Sequence, residues 1–180
     1  MALLAEELVE EWLNRNGYFT IRGIKLGVHE IDILAIKIVG STIEARHIEV
    51  QASSNPISYL CPLSKRLQKK SGRKPQSTKS RSSKEILESV KEWVNKKYHL
   101  KRKQGLRQSL YPGKWKYELV LNKVKYPDEI EVVKKEGINI LFLSDIVKSI
   151  SNSNDTIIQS AVGTSLMELI KMGDGNKKFC

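Results

Sequence analysis

The spacing of apolar positions changes along the chain, and each change predicts a different element. Leu4, Leu8 and Trp12 recur at i, i+4 with Leu13 beside them, which predicts a helix over residues 2–16 closed by Asn16 and Gly17. Tyr18 to Gly23 reads as a first strand. Ile31 to Val39 is apolar and β-branched, as expected of a buried strand. Gly40 and Ser41 turn the chain into a third strand, Thr42 to Ala52, paired with the second as a hairpin. Residues 53–83 lose all periodicity and become rich in Ser, Lys, Arg and Pro, so a long basic loop is expected there. Ser82 and Glu85 then form a capping box for a helix with the stripe Ile86, Val90, Trp93 and Val94, running to about Lys103.

The second half alternates strand and helix. Tyr117 to Val124 is a strand; Pro127, Asp128 and Glu129 open a helix that Lys134, Lys135 and Gly137 close. Ile138 to Leu143 is a strand, and a short helix follows from Asp145. Ser151 to Asn154 is a linker to a last amphipathic helix with Ile157, Ile158, Ala161, Val162, Leu166, Leu169 and Ile170, expected to cover the core or a second subunit. This order predicts an α/β domain with a mixed sheet, 1–151, followed by a C-terminal linker and helix, 152–180.

Composition narrows the class. A chain of 180 residues can bury enough surface to hold one core without disulfides or a structural metal. No apolar run approaches the ~20 residues of a membrane span. The first residues carry acids where a signal peptide carries bases, so a cytoplasmic protein is expected. Cys61 and Cys180 have no CxxC partner and no histidine at zinc spacing. The net charge of +11 is concentrated: residues 50–116 hold 18 bases against 3 acids, while the segments on either side are slightly acidic. Such a concentration attracts a polyanion by counterion release, though a merely solvated lysine-rich surface has the same composition. A membrane surface fits poorly, because the basic stretch has no broad apolar face before residue 86.

Two carboxylates stand out. Asp32 lies in the run HEIDILAIKI and Glu49 in ARHIEVQAS, both otherwise suited to buried strands. Burying an unpaired charge is costly, so each needs a purpose. Pairing of the second and third strands brings Asp32 alongside Glu49, and Gln51 shares the Glu49 face. Two carboxylates with carbonyls or waters form the oxygen set that Mg²⁺ prefers. Strand-end positions open to solvent, or pairing with Arg46 or His47, would also account for them.

On these residues the chain resembles the PD-(D/E)XK, or restriction-endonuclease-like, nuclease superfamily. AEELVEEWLNRNGY is similar to the helix that opens the small Holliday-junction-resolvase-like branches, HEIDILA to their first catalytic strand, and IEVQ to the strand that usually reads VEVK. The resemblance implies the core order αβββαβ. It implies Glu6, Asp32, Glu49 and Gln51 as catalytic residues, with Mg²⁺, or Mn²⁺ in its place, held by Asp32, Glu49 and the Val50 carbonyl. It also implies hydrolysis of DNA to 5′-phosphate and 3′-hydroxyl ends. Gln51 stands where the family carries Lys; it can orient water but supplies no charge, so Lys65, Arg66 or another base from the loop is expected to supply it. Backbone contacts to DNA are expected first from Lys65, Arg66, Lys69, Lys70, Arg73 and Lys74. A second set is Lys97, Lys101, Arg102 and Lys103, with Lys96 beside them. A two-fold homodimer is expected by analogy. The alternative is a nuclease fold without catalysis that binds DNA or RNA.

Overall fold

The computed structural model describes residues 2–53 and 56–152. Helix α1, Ala2–Arg15, leads into three strands, β1 (Phe19–Leu26), β2 (His29–Val39) and β3 (Thr42–Gln51). Gly27 and Gly40 take φ of 68° and 59° in the two tight turns that join them, a backbone state other residues adopt only at a cost. Helices α2 (Lys65–Ser71), α3 (Ser83–Val94) and α4 (Lys101–Leu110) carry the chain to β4 (Trp115–Leu121). Helix α5 (Asp128–Lys135), strand β5 (Ile138–Phe142) and helix α6 (Leu143–Asn152) complete the described chain.

The five strands form one sheet in the order β1-β2-β3-β4-β5. The first two pairings are antiparallel and the last two parallel, so the sheet is mixed and the α/β class expected from the sequence holds. Helices α1 and α6 cover one face, where Leu8, Val9 and Leu13 pack on Ile33, Ile48, Val50 and Val120. Helices α3 and α5 cover the other, where Val90, Trp93 and Val133 pack on Leu119, Leu121 and Ile138. Because successive side chains alternate, β3 sends Arg46, Ile48 and Val50 to the first face and His47, Glu49 and Gln51 to the second.

Three segments differ from the sequence reading. The expected loop over 53–83 contains α2, capped by Ser64 at its start and by Gly72, with φ 65°, at its end. Leu60, Cys61, Leu63 and Leu67 of this segment are buried, which anchors it. The helix expected to run to Lys103 does begin with the Ser82–Glu85 capping box, yet it widens into a π-turn at 95–99 and stops at Leu100, whose ψ is 135°. The linker expected from Ser151 starts inside α6, and the amphipathic stripe at 157–170 lies outside the described residues. Among the described residues no helix is long and apolar enough to cross a membrane.

Candidate active site

Strands β2 and β3 pair with Ile33 opposite Ile48. One further step of this register sets Asp32 opposite Glu49, with both carboxylates on the α3 face. Asp32 Oδ2 accepts the Val50 backbone N–H at 2.7 Å. Among the described residues Asp32 forms no ion pair. Burial, and then the charge of Glu49, push its pKa up to about 6.

Glu49 has the opposite surroundings. It is 1% exposed, and three donors converge on it. Lys103 Nζ lies 2.8 Å from Oε1, His47 Nε2 lies 3.0 Å from the same oxygen, and Lys97 Nζ lies 2.5 Å from Oε2. Burial alone would raise the Glu49 pKa; these donors instead hold it at about 2. The imidazole tautomer follows from its other neighbour. Arg107 Nη1 stands 2.8 Å from His47 Nδ1, and a guanidinium can only donate. His47 is therefore neutral, accepts at Nδ1 and donates from Nε2 to Glu49. Its burial, which lowers its pKa to about 4, agrees.

Local geometry explains how these bases arrive. Lys103 and Arg107 are four residues apart on α4, so they share the helix face turned to β3. The π-turn sets Lys97 over Glu49 while Tyr98 is buried beside it, donating its hydroxyl to the Glu118 carbonyl at 2.8 Å. π-turns often occur where a helix serves a site rather than its own regularity. Burial would lower the Lys97 pKa, but Glu49 and Asp32 together raise it. The Lys103 pKa is lowered by burial despite Glu49. Glu6, on α1, lies within electrostatic reach of the pair: burial raises its pKa first and Glu30 second, with Glu49 adding, and its own charge raises that of Asp32.

The sequence-derived candidates are thus sorted by position. Glu6, Asp32 and Glu49 form one electrostatically coupled group. Gln51 is on the same face, with its amide Nε2 donating to the Leu60 carbonyl at 2.9 Å. The expectation that Lys103 grips DNA is corrected: it is 1% exposed and committed to Glu49. Arg66 and Arg73 are held by Glu88 and Glu85. Lys65, Lys69, Lys70, Lys74, Lys101 and Arg102 are exposed and remain open to a polyanion. Besides buried Lys103, the cation that meets Glu49 is Lys97, rather than Lys65, Arg66 or another base from the loop. Sequence reasoning placed it among the backbone-gripping bases, because its 48-residue separation from Glu49 hides the contact. The readable signal was a lysine, Lys103, and an arginine, Arg107, at i, i+4 on a helix with hardly any apolar stripe. Among the described residues no group of three or more acidic, histidine or cysteine side chains is gathered at metal-ligand spacing.

The site opens into a cleft of about 420 Å³, floored by Glu49 and Gln51 and walled by Leu60, Arg81, Trp93 and Lys97. No family model and no curated protein matches the chain. Among solved structures it is similar to the crystal structure of a protein of unknown function, AF1548, with a TM-score of 0.45 and 15% identity, over 94% of this chain and 78% of that one.

Proposed function

We propose that the protein is a metal-dependent DNA endonuclease of the PD-(D/E)XK type. The observation that carries this reading is the facing pair Asp32 and Glu49, with Glu49 on the floor of the cleft and the Lys97 ammonium, which also lines it, on Glu49 Oε2. The donor set fits a divalent cation. Mg²⁺ is commonly bound through only one or two carboxylates and completes its shell with water and substrate phosphate. A half-buried carboxylate whose pKa is raised to about 6, first by burial and then by the charge of Glu49, is one that a cation would relieve. Asp32 and Glu49 would hold the ion, with the Val50 carbonyl beside them. When bound, it would lower the pKa of water and polarise a phosphoryl oxygen.

The chain's own residues supply the rest. Lys97 takes the part of the lysine that Gln51 replaces: it carries charge at the site and can turn from Glu49 to a phosphate oxygen. Gln51 orients water or substrate by its amide. Lys103 and neutral His47 fix Glu49 from beneath. Lys65, Lys69, Lys70 and Lys74 attract the phosphate backbone without reading sequence.

A second reading, a nucleic-acid-binding protein without catalysis, draws on the saturation of Glu49, whose two oxygens already meet three donors. Cleavage separates the two. Plasmid and branched DNA are incubated with Mg²⁺ or Mn²⁺ and either the native protein or the Asp32→Ala, Glu49→Ala double variant. Metal-dependent cleavage by the native protein alone is expected. Salt-dependent binding with no cleavage by either protein would favour the second reading.

A further inference from the structure

Beside the cleft over Glu49 opens a second of about 430 Å³, and both are lined by Pro62, Pro75, Gln76, Trp93 and Lys97. The two adjoin along these residues and are taken together as one passage, with Lys97 bordering both halves. Its walls are pinned. Ile57 bridges Val124, the Leu60 and Cys61 amides donate to Glu129, Gln51 donates to the Leu60 carbonyl, and Arg81 Nη1 donates to the Cys61 carbonyl at 2.7 Å. These bonds hold the walls in place, and the floor residue Glu49 is 1% exposed, so the passage favours a narrow ligand.

The passage is suited to something thin and alternately charged and apolar. Its inner half holds Lys97 and Arg81; Arg81 is 7% exposed, and its buried Nε has no hydrogen-bond partner among the described residues. The outer half holds the exposed Lys65 and Lys96, with the Glu92 carboxylate beside them accepting the Lys65 backbone N–H at 3.0 Å. Both halves share the apolar surfaces of Pro62 and Pro75 and the edge of Trp93, which is 7% exposed. Unpaired nucleic acid offers the same alternation, with phosphates for the cations and base faces for the apolar walls. Resting on the nucleic-acid reading above, we infer that the passage takes one unpaired DNA strand and excludes duplex, so that the substrate is a single-stranded tail, flap or gap.

Binding in EDTA tests this apart from catalysis. Fluorescence anisotropy of the full chain compares a blunt DNA hairpin with the same hairpin carrying a single-stranded tail of about 12 nucleotides. The tailed form is expected to bind about tenfold tighter. The Lys65→Glu, Lys96→Glu double variant should lose most of that gain, whereas Lys148→Glu, on α6 away from the passage, should keep it. Equal or tighter binding of the blunt hairpin would overturn the inference and leave the nucleic-acid reading standing, as would a Lys65→Glu, Lys96→Glu variant no weaker than Lys148→Glu. Absence of binding to either DNA would overturn both.

Discussion

The two faces of β3 handle buried charge differently. On the α1 face Arg46 meets Glu118 one to one, with its Nε 2.6 Å from the carboxylate, both side chains under 10% exposed and the guanidinium over the rings of Trp12 and Tyr18. On the opposite face Glu49 meets two ammonium groups and an imidazole N–H, while Asp32 across the strand pair meets a single amide. A pair that only holds a fold can be matched and closed, as Arg46–Glu118 is. The Glu49 face has cations in surplus on one acid and a shortage on the other, and one of those cations reaches the cleft. That imbalance marks the site.

The sharpest division falls between the two lysines on Glu49, whose side chains are 2% exposed for Lys103 and 35% for Lys97. Arg46→Ala should destabilise the protein by about 3–5 kcal/mol in urea unfolding, since it leaves buried Glu118 without a cation, and Lys103→Ala by about 1.5–3 kcal/mol, since Glu49 loses its buried ammonium but keeps Lys97 and His47. Lys97→Ala should cost under ~1 kcal/mol of stability yet lower the cleavage rate at saturating DNA by about 100-fold or more, which mutant kinetics would show. Comparable stability losses at both lysines would erase the distinction.

A smaller effect is set by pH. Asp32 has a pKa raised to about 6 in the fold, above that of an unfolded aspartate, so its ionisation opposes folding. Its contribution to stability should improve as pH falls from about 6 towards about 4. Asp32→Asn should flatten that rise and stabilise the protein at neutral pH by on the order of 1–2 kcal/mol. Glu49, held at about 2, works the other way: its stabilisation is complete above the unfolded glutamate value and is lost as pH falls through about 2. Thermal unfolding followed across this range separates the two carboxylates. The smallest change is expected at the surface. Lys69→Glu with Lys70→Glu should leave stability within ~0.5 kcal/mol and lessen the salt dependence of DNA binding.

The strands were legible because local sequence fixes them. Ile31–Val39 and Thr42–Ala52 are β-branched runs around a glycine turn, and the structure ends them within about two residues of those limits. The Ser82–Glu85 box and the charge-sorted helix 128–135 are likewise local. Helix α2 was hidden because only Leu67 marks its buried side among lysines. The break at Leu100 carries no Gly or Pro; it follows from the tertiary demand that Lys97, Tyr98, Lys103 and Arg107 all face the β3–β4 surface. Asp32 and Glu49 could be read as a pair from strand alternation. The contact of Glu49 with His47, two residues away, was open to the same reading, but its cations and the part of Arg107 depend on contacts 48 to 60 residues apart that no local pattern records.

Uptake of a divalent cation by the Asp32–Glu49 pair is the property on which the proposed chemistry depends most directly. Isothermal titration of the protein with Mn²⁺ near pH 7.5, beside the Asp32→Asn, Glu49→Gln variant, measures it. A single saturable site in the native protein, accompanied by proton release and absent from the variant, is the predicted result. Identical heats from the two proteins, or no binding by the native one with or without DNA, would contradict it.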